Sequence, residues 1–180
     1  MRILKDETAG VIIDIQQRLL PHIHDGERLL QNCLTLIEGL NLLSVPMIVT
    51  QQYTKGLGAT DPSVVQKFSG FRYIEKTSFS CYEEPDFREK LRLTGKQNII
   101  LCGIESHVCV LQTCLDLLDG GFRPVIVEDC VASRKPGDKT IAIERMRQEG
   151  ARITTLESIL FELTRRAGNE IFKSISRLVK

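Results

Sequence analysis

The chain has 180 residues and a mass of 20.3 kDa, enough for one domain with a single sizeable core. Its 42% hydrophobic and 26% charged residues are typical of a globular protein, and its formal net charge is only +1. Because the lysines and arginines are scattered, the sequence predicts no surface for nucleic acid or for an acidic membrane. It has no signal peptide and no apolar run near the ~20 residues that a membrane-spanning helix needs. We therefore expect a single cytoplasmic domain over residues 1–180.

Six cysteines are present, with no CxxC pair and no regular spacing between them. In a reducing compartment such thiols are mostly small buried hydrophobes rather than disulfide partners. A structural zinc site needs paired close ligands, and the chain has only three histidines. The sequence thus predicts no metal and no cofactor. It leaves open which cysteine, if any, is not structural.

Short apolar runs alternate with amphipathic helical patterns along the chain. The predicted strands are residues 11–13, 46–49, 73–76, 98–102, 124–127 and 152–154. The predicted helices are residues 25–40 with Asp25 as cap, 85–95, 106–119, 138–148 and a helix through Leu160 and Leu163. Strands that are apolar along their whole length require a parallel sheet covered on both faces. The fold class is therefore α/β, with six parallel strands in a three-layer arrangement.

The last stretch, residues 169–180, has a helical pattern of its own, with apolar residues at Ile171, Phe172, Ile175 and Leu178. The predicted three-layer core is complete without it. The segment therefore either docks on the domain or packs against a neighbouring subunit.

Residues with possible chemistry fall at one edge of the predicted sheet, where parallel α/β proteins bind their ligands. Asp14, Lys76 and the segment after Cys102 all follow the carboxyl ends of strands. A carboxylate there can take a proton from a thiol, and an ammonium can hold the charges of both groups. Each residue also has an ordinary alternative, since Asp14 can cap the next segment and Lys76 can simply be solvated.

The helix predicted at 106–119 separates two cysteines. Cys114 shares a face with the apolar residues Val108, Leu111, Leu115 and Leu118. Cys109 falls in the polar sector with Gln112, Thr113, Asp116 and Asp119. Because Cys109 is also in the first turn, the helix dipole is expected to lower the pKa of its thiol. The alternative is that Cys109 is a partly buried filler residue.

Four segments together resemble the isochorismatase-like cysteine hydrolase superfamily, and within it the small stand-alone members of unassigned substrate. They are VIIDIQ at 11–16, KTSFS at 76–80, GIESHVCV at 103–110 and DCVASR at 129–134. The segment that ends in Cys109 and Val110 is the most specific of the four. The resemblance extends in unbroken order from about residue 8 to residue 167.

The resemblance implies a Rossmann-like three-layer fold, a homo-oligomer and a catalytic triad. In that triad Asp14 is the base, Lys76 the cation and Cys109 the nucleophile. It also implies a non-proline cis peptide between Ile104 and Glu105. The backbone amides of Glu105 and Cys109 would then form an oxyanion hole.

Departures from the family narrow the expected substrate. Nicotinamidases of this superfamily carry an Asp-x-His and a further histidine that hold a metal after the second strand. Here residues 50–53 are Thr-Gln-Gln-Tyr, and no histidine occurs between residues 24 and 107. We therefore expect metal-independent hydrolysis of a small amide, ester or vinyl ether. The residues expected to bind the substrate are Gln51, Tyr53, Phe79 and Ser106.

Three other interpretations concern the role of His107, a binding module and a silent scaffold. His107 is two residues from Cys109, and such helix neighbours point to different sides, so we assign it to the pocket wall or a subunit contact. A flavodoxin-like binding module would need a glycine-rich loop after the first strand, and residues 14–17 offer none. A catalytically silent oligomeric scaffold of the same fold is the remaining alternative to the enzyme.

Overall fold

The computed structural model describes residues 2–180 and contains a six-stranded, all-parallel sheet flanked by helices. The strand order is β3-β2-β1-β4-β5-β6. The strands are β1 Thr8–Ile13, β2 Met47–Gln52, β3 Ile74–Lys76, β4 Asn98–Ile104, β5 Arg123–Ala132 and β6 Arg152–Thr154. Every predicted strand is present, and the predicted α/β fold of three layers is confirmed. Strands β1 and β4 pair directly at the centre of the sheet, and the later strands are added outward from this pair in opposite directions.

The helices form the two outer layers, one on each face of the sheet. They are α1 Gly26–Leu42, α2 Thr54–Leu57, α3 Pro62–Val65, α4 Pro85–Thr94, α5 Leu111–Asp119, α6 Pro136–Gln148, α7 Leu156–Thr164 and α8 Glu170–Leu178. Helices α1, α7 and α8 share one buried cluster with the sheet, and α4, α5 and α6 share the other. Among the described helices, none combines the length and the apolar character that a membrane span requires.

Strand β1 illustrates why the core has two halves. Successive side chains of a strand point to opposite faces. Ile12 accordingly packs in the cluster beneath α1, while Val11 and Ile13 pack in the cluster beneath α4 and α5. All six residues of the strand are buried. An uninterrupted apolar run is therefore the pattern that a sheet covered on both faces requires.

The terminal helix α8 docks on its own chain, which was one of the two predicted alternatives. Ile175 is fully buried in the cluster beneath α1 and α7. The rings of Phe172 and Phe161 lie 6.0 Å apart between α8 and α7. Ile171, in contrast, stays 42% exposed.

Asp25 corrects one local prediction. It occupies the N-cap position of α1, but its backbone has a positive φ of 53° and its side chain makes no capping hydrogen bond. Its carboxylate instead pairs with Arg28 at 2.8 Å. The left-handed backbone turns the side chain away from the helix amides, so the expected cap does not form.

Candidate active site

Asp14 directly follows β1, at the carboxyl edge of the sheet. Its φ of 52° lies in the left-handed region, which aspartate tolerates better than most residues. The side chain is fully buried, and Oδ1 accepts a 2.8 Å hydrogen bond from the Thr50 hydroxyl. Oδ2 lies 2.8 Å from Lys76 Nζ, in an ion pair that is not a well-directed hydrogen bond. Oδ2 therefore retains the capacity to accept a proton.

Lys76 ends β3, two strands away from Asp14 in the sheet. Its Nζ donates to the carbonyl oxygens of Ser78 and Phe79, both at 3.1 Å, and to Gln52 Oε1 at 3.4 Å. Burial lowers the pKa of this ammonium, but the Asp14 carboxylate and the nearby thiols raise it more, and the net shift is upward. The ammonium thus stays charged although its side chain is fully buried.

Cys109 lies in a π-helical turn, Ser106–Val110, that leads into α5. The turn is buried, and Cys109 packs with the apolar residues beneath α4 and α5. The buried positions of this segment are 106, 109, 110, 111, 113, 114 and 117. The prediction that Cys109 belongs to a polar, outward sector is therefore wrong.

The reason for that error is a buried polar partner. Thr113 shares the inward face with Cys109, and its Oγ1 accepts a 2.9 Å hydrogen bond from the backbone amide of Cys81. A polar side chain can be buried when its hydrogen bonds are satisfied. Hydrophobicity alone consequently placed Leu111 and Cys114 on the buried face correctly but left out Cys109 and Thr113.

The electrostatic environment of Cys109 also differs from the prediction. Burial and the Asp14 carboxylate raise the pKa of its thiol to about 12, although the Lys76 ammonium acts in the opposite direction. The expected lowering by the helix start is therefore outweighed, and Cys109 rests as a neutral thiol. At 6% exposure it is still the most exposed of the six cysteines.

The segment before the turn that contains Cys109 has two unusual backbone features. Gly103 has a φ of 115°, and a Cβ at this position would lie 2.0 Å from the carbonyl oxygen of Ile13. The bond between Ile104 and Glu105 is cis, at the position the resemblance implies. The Glu105 carboxylate accepts from the backbone amide and from Nε of Arg134, at 3.0 and 3.1 Å. Residues 103–105 are thereby anchored to β1 and to the end of β5.

The four residues expected to bind substrate occupy different environments. Tyr53 and Phe79 are 51% and 53% exposed, and the backbones of both hydrogen-bond to Lys76. Ser106 is buried, and its hydroxyl has no hydrogen-bond partner within residues 2–180. Gln51 is buried and occupied, since Oε1 accepts from Thr60 and Nε2 donates to Thr54. The structure thus places Tyr53 and Phe79 beside Lys76. The Gln51 side chain instead forms its hydrogen bonds within the loop that follows β2.

Sequence reasoning missed several polar residues around the ion pair. Thr50 donates a hydrogen bond to the Asp14 carboxylate, and Cys81 contacts Thr50 through Sγ and Oγ1 at 3.8 Å. Gln16 binds the backbone of Gln52 at both its amide and its carbonyl, which joins the ends of β1 and β2. The available signal was the polar run that follows the apolar part of β2, which suits buried partners at a sheet edge.

His107 is held away from the ion pair. Its Nδ1 lies 2.9 Å from the Ser133 hydroxyl, and Nε2 lies 3.8 Å from the Asp138 carboxylate. These contacts occupy both ring nitrogens on the side of α6. The arrangement at the sheet edge is thus a carboxylate, an ammonium and a thiol without a histidine.

The structure therefore defines a class of protein: a three-layer parallel α/β fold with a buried carboxylate, ammonium and thiol at the carboxyl edge of its sheet. A family profile described as the isochorismatase domain matches residues 8–158. The chain belongs to this isochorismatase family, and its membership supports a hydrolase function. Isochorismatase family protein 1B of Dictyostelium discoideum is 39% identical over 99% of this chain and 89% of that protein.

Solved structures agree with this assignment. A MAR1 ribonuclease from Caenorhabditis elegans is 36% identical with a TM-score of 0.93, covering 99% of this chain and 92% of that one. The Escherichia coli YcaC protein, an octameric hydrolase of unknown specificity, is 26% identical with a TM-score of 0.93, covering 99% and 89%. YcaC from Pseudomonas aeruginosa, solved with hexane-2,5-diol and covalent acrylamide, is 27% identical with a TM-score of 0.91, covering 97% and 89%.

Proposed function

We propose that the protein is a cysteine hydrolase in which Asp14 is the base, Lys76 the cation and Cys109 the nucleophile. One observation carries the proposal. The Asp14–Lys76 ion pair is fully buried at 2.8 Å, and both of its charges act on the Cys109 thiol. A buried ion pair is costly to desolvate and is poor evidence for a purely stabilising role. Its coupling to a thiol favours chemistry at this edge.

The reaction begins from a neutral thiol beside a carboxylate. As Cys109 Sγ attacks the carbonyl carbon of an amide or ester, its proton passes to Asp14, so that no free thiolate need accumulate. Lys76 stabilises the negative charge while the proton is in transit. The oxyanion then accepts hydrogen bonds from the backbone amides of Glu105 and Cys109.

The second half of the reaction reuses the same groups. Asp14 returns its proton to the departing amine or alcohol, which leaves a thioester on Cys109. Water then gives a proton to Asp14 and adds to the thioester carbon, and collapse of the adduct releases the acid. The proton returns from Asp14 to Cys109 Sγ, which restores the starting state.

A small substrate suits this site. Cys109 has little exposed surface, and the exposed residues Tyr53 and Phe79 both hydrogen-bond to Lys76 through their backbones. Ser106 has a buried hydroxyl that can bind a polar group or a water. The P. aeruginosa relative was solved with covalent acrylamide, a small molecule, which supports a small substrate for this fold.

We further propose that catalysis is independent of metal. Residues 50–53 lack the Asp-x-His pattern, and within residues 2–180 no three histidine, cysteine or carboxylate side chains cluster as ligands. Activity should therefore survive exhaustive chelation. Recovery of lost activity on adding one equivalent of zinc or iron would contradict this.

A homo-oligomer is the proposed assembly, by analogy with the octameric E. coli relative. Light scattering at micromolar concentration should give a multiple of 20.3 kDa. We also propose that the substrate is a small molecule, that the protein binds neither nucleic acid nor a membrane, and that it is cytoplasmic.

The decisive experiment is a substrate panel of small amides, carbamates, esters and vinyl ethers, with C109A as the control. An RNA oligonucleotide belongs in the panel because of the name of the C. elegans relative. Turnover of a small molecule that C109A abolishes supports the proposal. RNA cleavage that C109A retains would replace it with a nuclease, and the absence of both turnover and Cys109 labelling would favour a silent scaffold.

A further inference from the structure

Thr50 is the only described hydrogen-bond donor to Oδ1 of Asp14 within residues 2–180, at 2.8 Å. It lies at the carboxyl end of β2, adjacent to Asp14 in the sheet, and is fully buried. A carboxylate can only accept hydrogen bonds. The single hydroxyl proton of Thr50 must therefore point at Asp14.

Cys81 completes a directed chain. Its Sγ lies 3.8 Å from Thr50 Oγ1, and since the Thr50 proton is already committed to Asp14, the thiol is the donor in this contact. The backbone amide of Cys81 is itself fixed by Thr113 Oγ1, one turn after Cys109 on the same helix face. The chain therefore runs from the Cys81 thiol to the Thr50 hydroxyl and then to Asp14 Oδ1.

The two carboxylate oxygens of Asp14 therefore have different partners. Oδ1 is occupied by Thr50, whereas Oδ2 lies against the Lys76 ammonium without a directed hydrogen bond, which leaves Oδ2 as the oxygen open to a proton. Without the Thr50 donor, the carboxylate is free to turn both oxygens toward the ammonium. It would then compete poorly for the thiol proton.

We propose that Thr50 is a positioning residue that holds Asp14 with Oδ2 toward Lys76 and Cys109, and that the Cys81 thiol fixes the direction of its hydroxyl. This inference rests on the proposed function, because it assigns the positioning of the proposed base. It also assigns to Cys81, the second thiol near Lys76, the role of a hydrogen-bond donor rather than of a nucleophile.

The test compares T50V, T50S and C81A in the full chain with 4-nitrophenyl acetate as the probe. T50V keeps the shape of threonine without its donor, and a lost hydrogen bond to a charged group should lower kcat about 10- to 100-fold with KM unchanged. T50S should recover most of the rate, because serine keeps the hydroxyl. C81A removes a neutral donor and should cost only about fivefold.

T8V is the matched control. Thr8 is also buried, lies at the opposite end of β1 and donates to the carbonyl oxygen of Leu4 at 2.7 Å. Its substitution should lower the melting temperature without lowering kcat. Equal kcat values in T50V and wild type, or no rescue by T50S, would overturn the inference. If T50V does not fold, T50A provides the same comparison.

The proposed function can fail separately. If C109A hydrolyses the ester as fast as wild type, the nucleophile assignment is wrong whatever T50V does. If wild type does not hydrolyse the ester, crystal structures of wild type and T50V decide the positioning role. An Asp14 carboxylate rotated in T50V supports the inference, and an unmoved one overturns it.

Discussion

The two faces of the sheet each bury three cysteines, and within residues 2–180 only one of these two sets lies near a fully buried ion pair. Cys33, Cys102 and Cys130 pack beneath α1, where Cys33 Sγ donates to the Cys130 carbonyl at 3.3 Å. Cys81, Cys109 and Cys114 pack on the opposite face. Burial raises the pKa of Cys130 and of Cys109 alike. Burial alone therefore makes both sets inert, and the buried Asp14–Lys76 pair distinguishes the second.

Replacing the proposed base should have the largest effect. D14N keeps the size of the side chain but cannot take a proton, so turnover of the best substrate in the panel should fall by about 10²- to 10⁴-fold. Alkylation of Cys109 by iodoacetamide should instead become faster, because the carboxylate raises the pKa of that thiol. The opposed changes are measured by steady-state kinetics and by peptide mapping.

Asp129 offers the matched control on the face that lacks the buried ion pair. Its Oδ1 accepts a 2.8 Å hydrogen bond from the backbone amide of Leu156, near Cys130. D129N should leave turnover unchanged. Equal losses of turnover in D14N and D129N would show that the difference between the two faces is unrelated to catalysis.

Removing the cation should reduce stability most. K76M leaves the Asp14 carboxylate buried and unpaired, which typically costs about 3–5 kcal/mol of unfolding free energy. Urea denaturation measures this loss, and the double variant D14N/K76M should recover part of it. K139M, which removes the more exposed 2.7 Å pair with Glu128, should cost only about 0–1 kcal/mol.

The same ion pair has a defined pH window. The pKa of Lys76 is raised above its ordinary value of 10.5, so the charged lysine favours the folded state fully below pH 10.5. That contribution is lost as the pH rises through the folded-state pKa. On the alkaline side, the stability difference between wild type and K76M should therefore shrink only in strongly alkaline solution.

Selective labelling sharpens the comparison of the thiols themselves. At pH 8, iodoacetamide should modify Cys109 at least about tenfold faster than Cys33 or Cys130, because only Cys109 has appreciable exposure. Its rate should keep rising up to pH 10 without a plateau, since its pKa is about 12. Peptide mapping that finds Cys33 modified first would reverse the assignment.

The smallest effect is expected on the face beneath α1. C33A removes one buried sulfur and should lower the unfolding free energy by about 1 kcal/mol, without changing turnover. Thermal unfolding and kinetics measure the two properties. A loss of turnover in C33A would mean that the thiols beneath α1 contribute to the reaction.

Most of the fold was predictable because its signals are local. The apolar runs identified all six strands, although β5 extends to Ala132, five residues beyond the predicted end. The short helices α2 and α3 were missed, since each is a single turn in a polar loop with no periodic pattern to detect. The single-domain boundary and the cytoplasmic location stay predictions.

The candidate site was predictable in part. The resemblance identified Asp14, Lys76 and Cys109 by number, and strand ends predicted that the first two would share an edge. Their 2.8 Å contact is in keeping with that expectation. Thr50 and Cys81 were missed because neither belongs to a motif, and only the folded chain brings β2 and the turn after β3 together.

The sequence by itself determined the alternation of buried strands and helices, because backbone pairing and apolar periodicity are written in neighbouring residues. Tertiary structure alone decided the face and the protonation of Cys109. The pKa of its thiol depends on burial and on charges supplied from the ends of β1 and β3. Those segments are distant along the chain and adjacent in space, and electrostatic energy depends on distance in space.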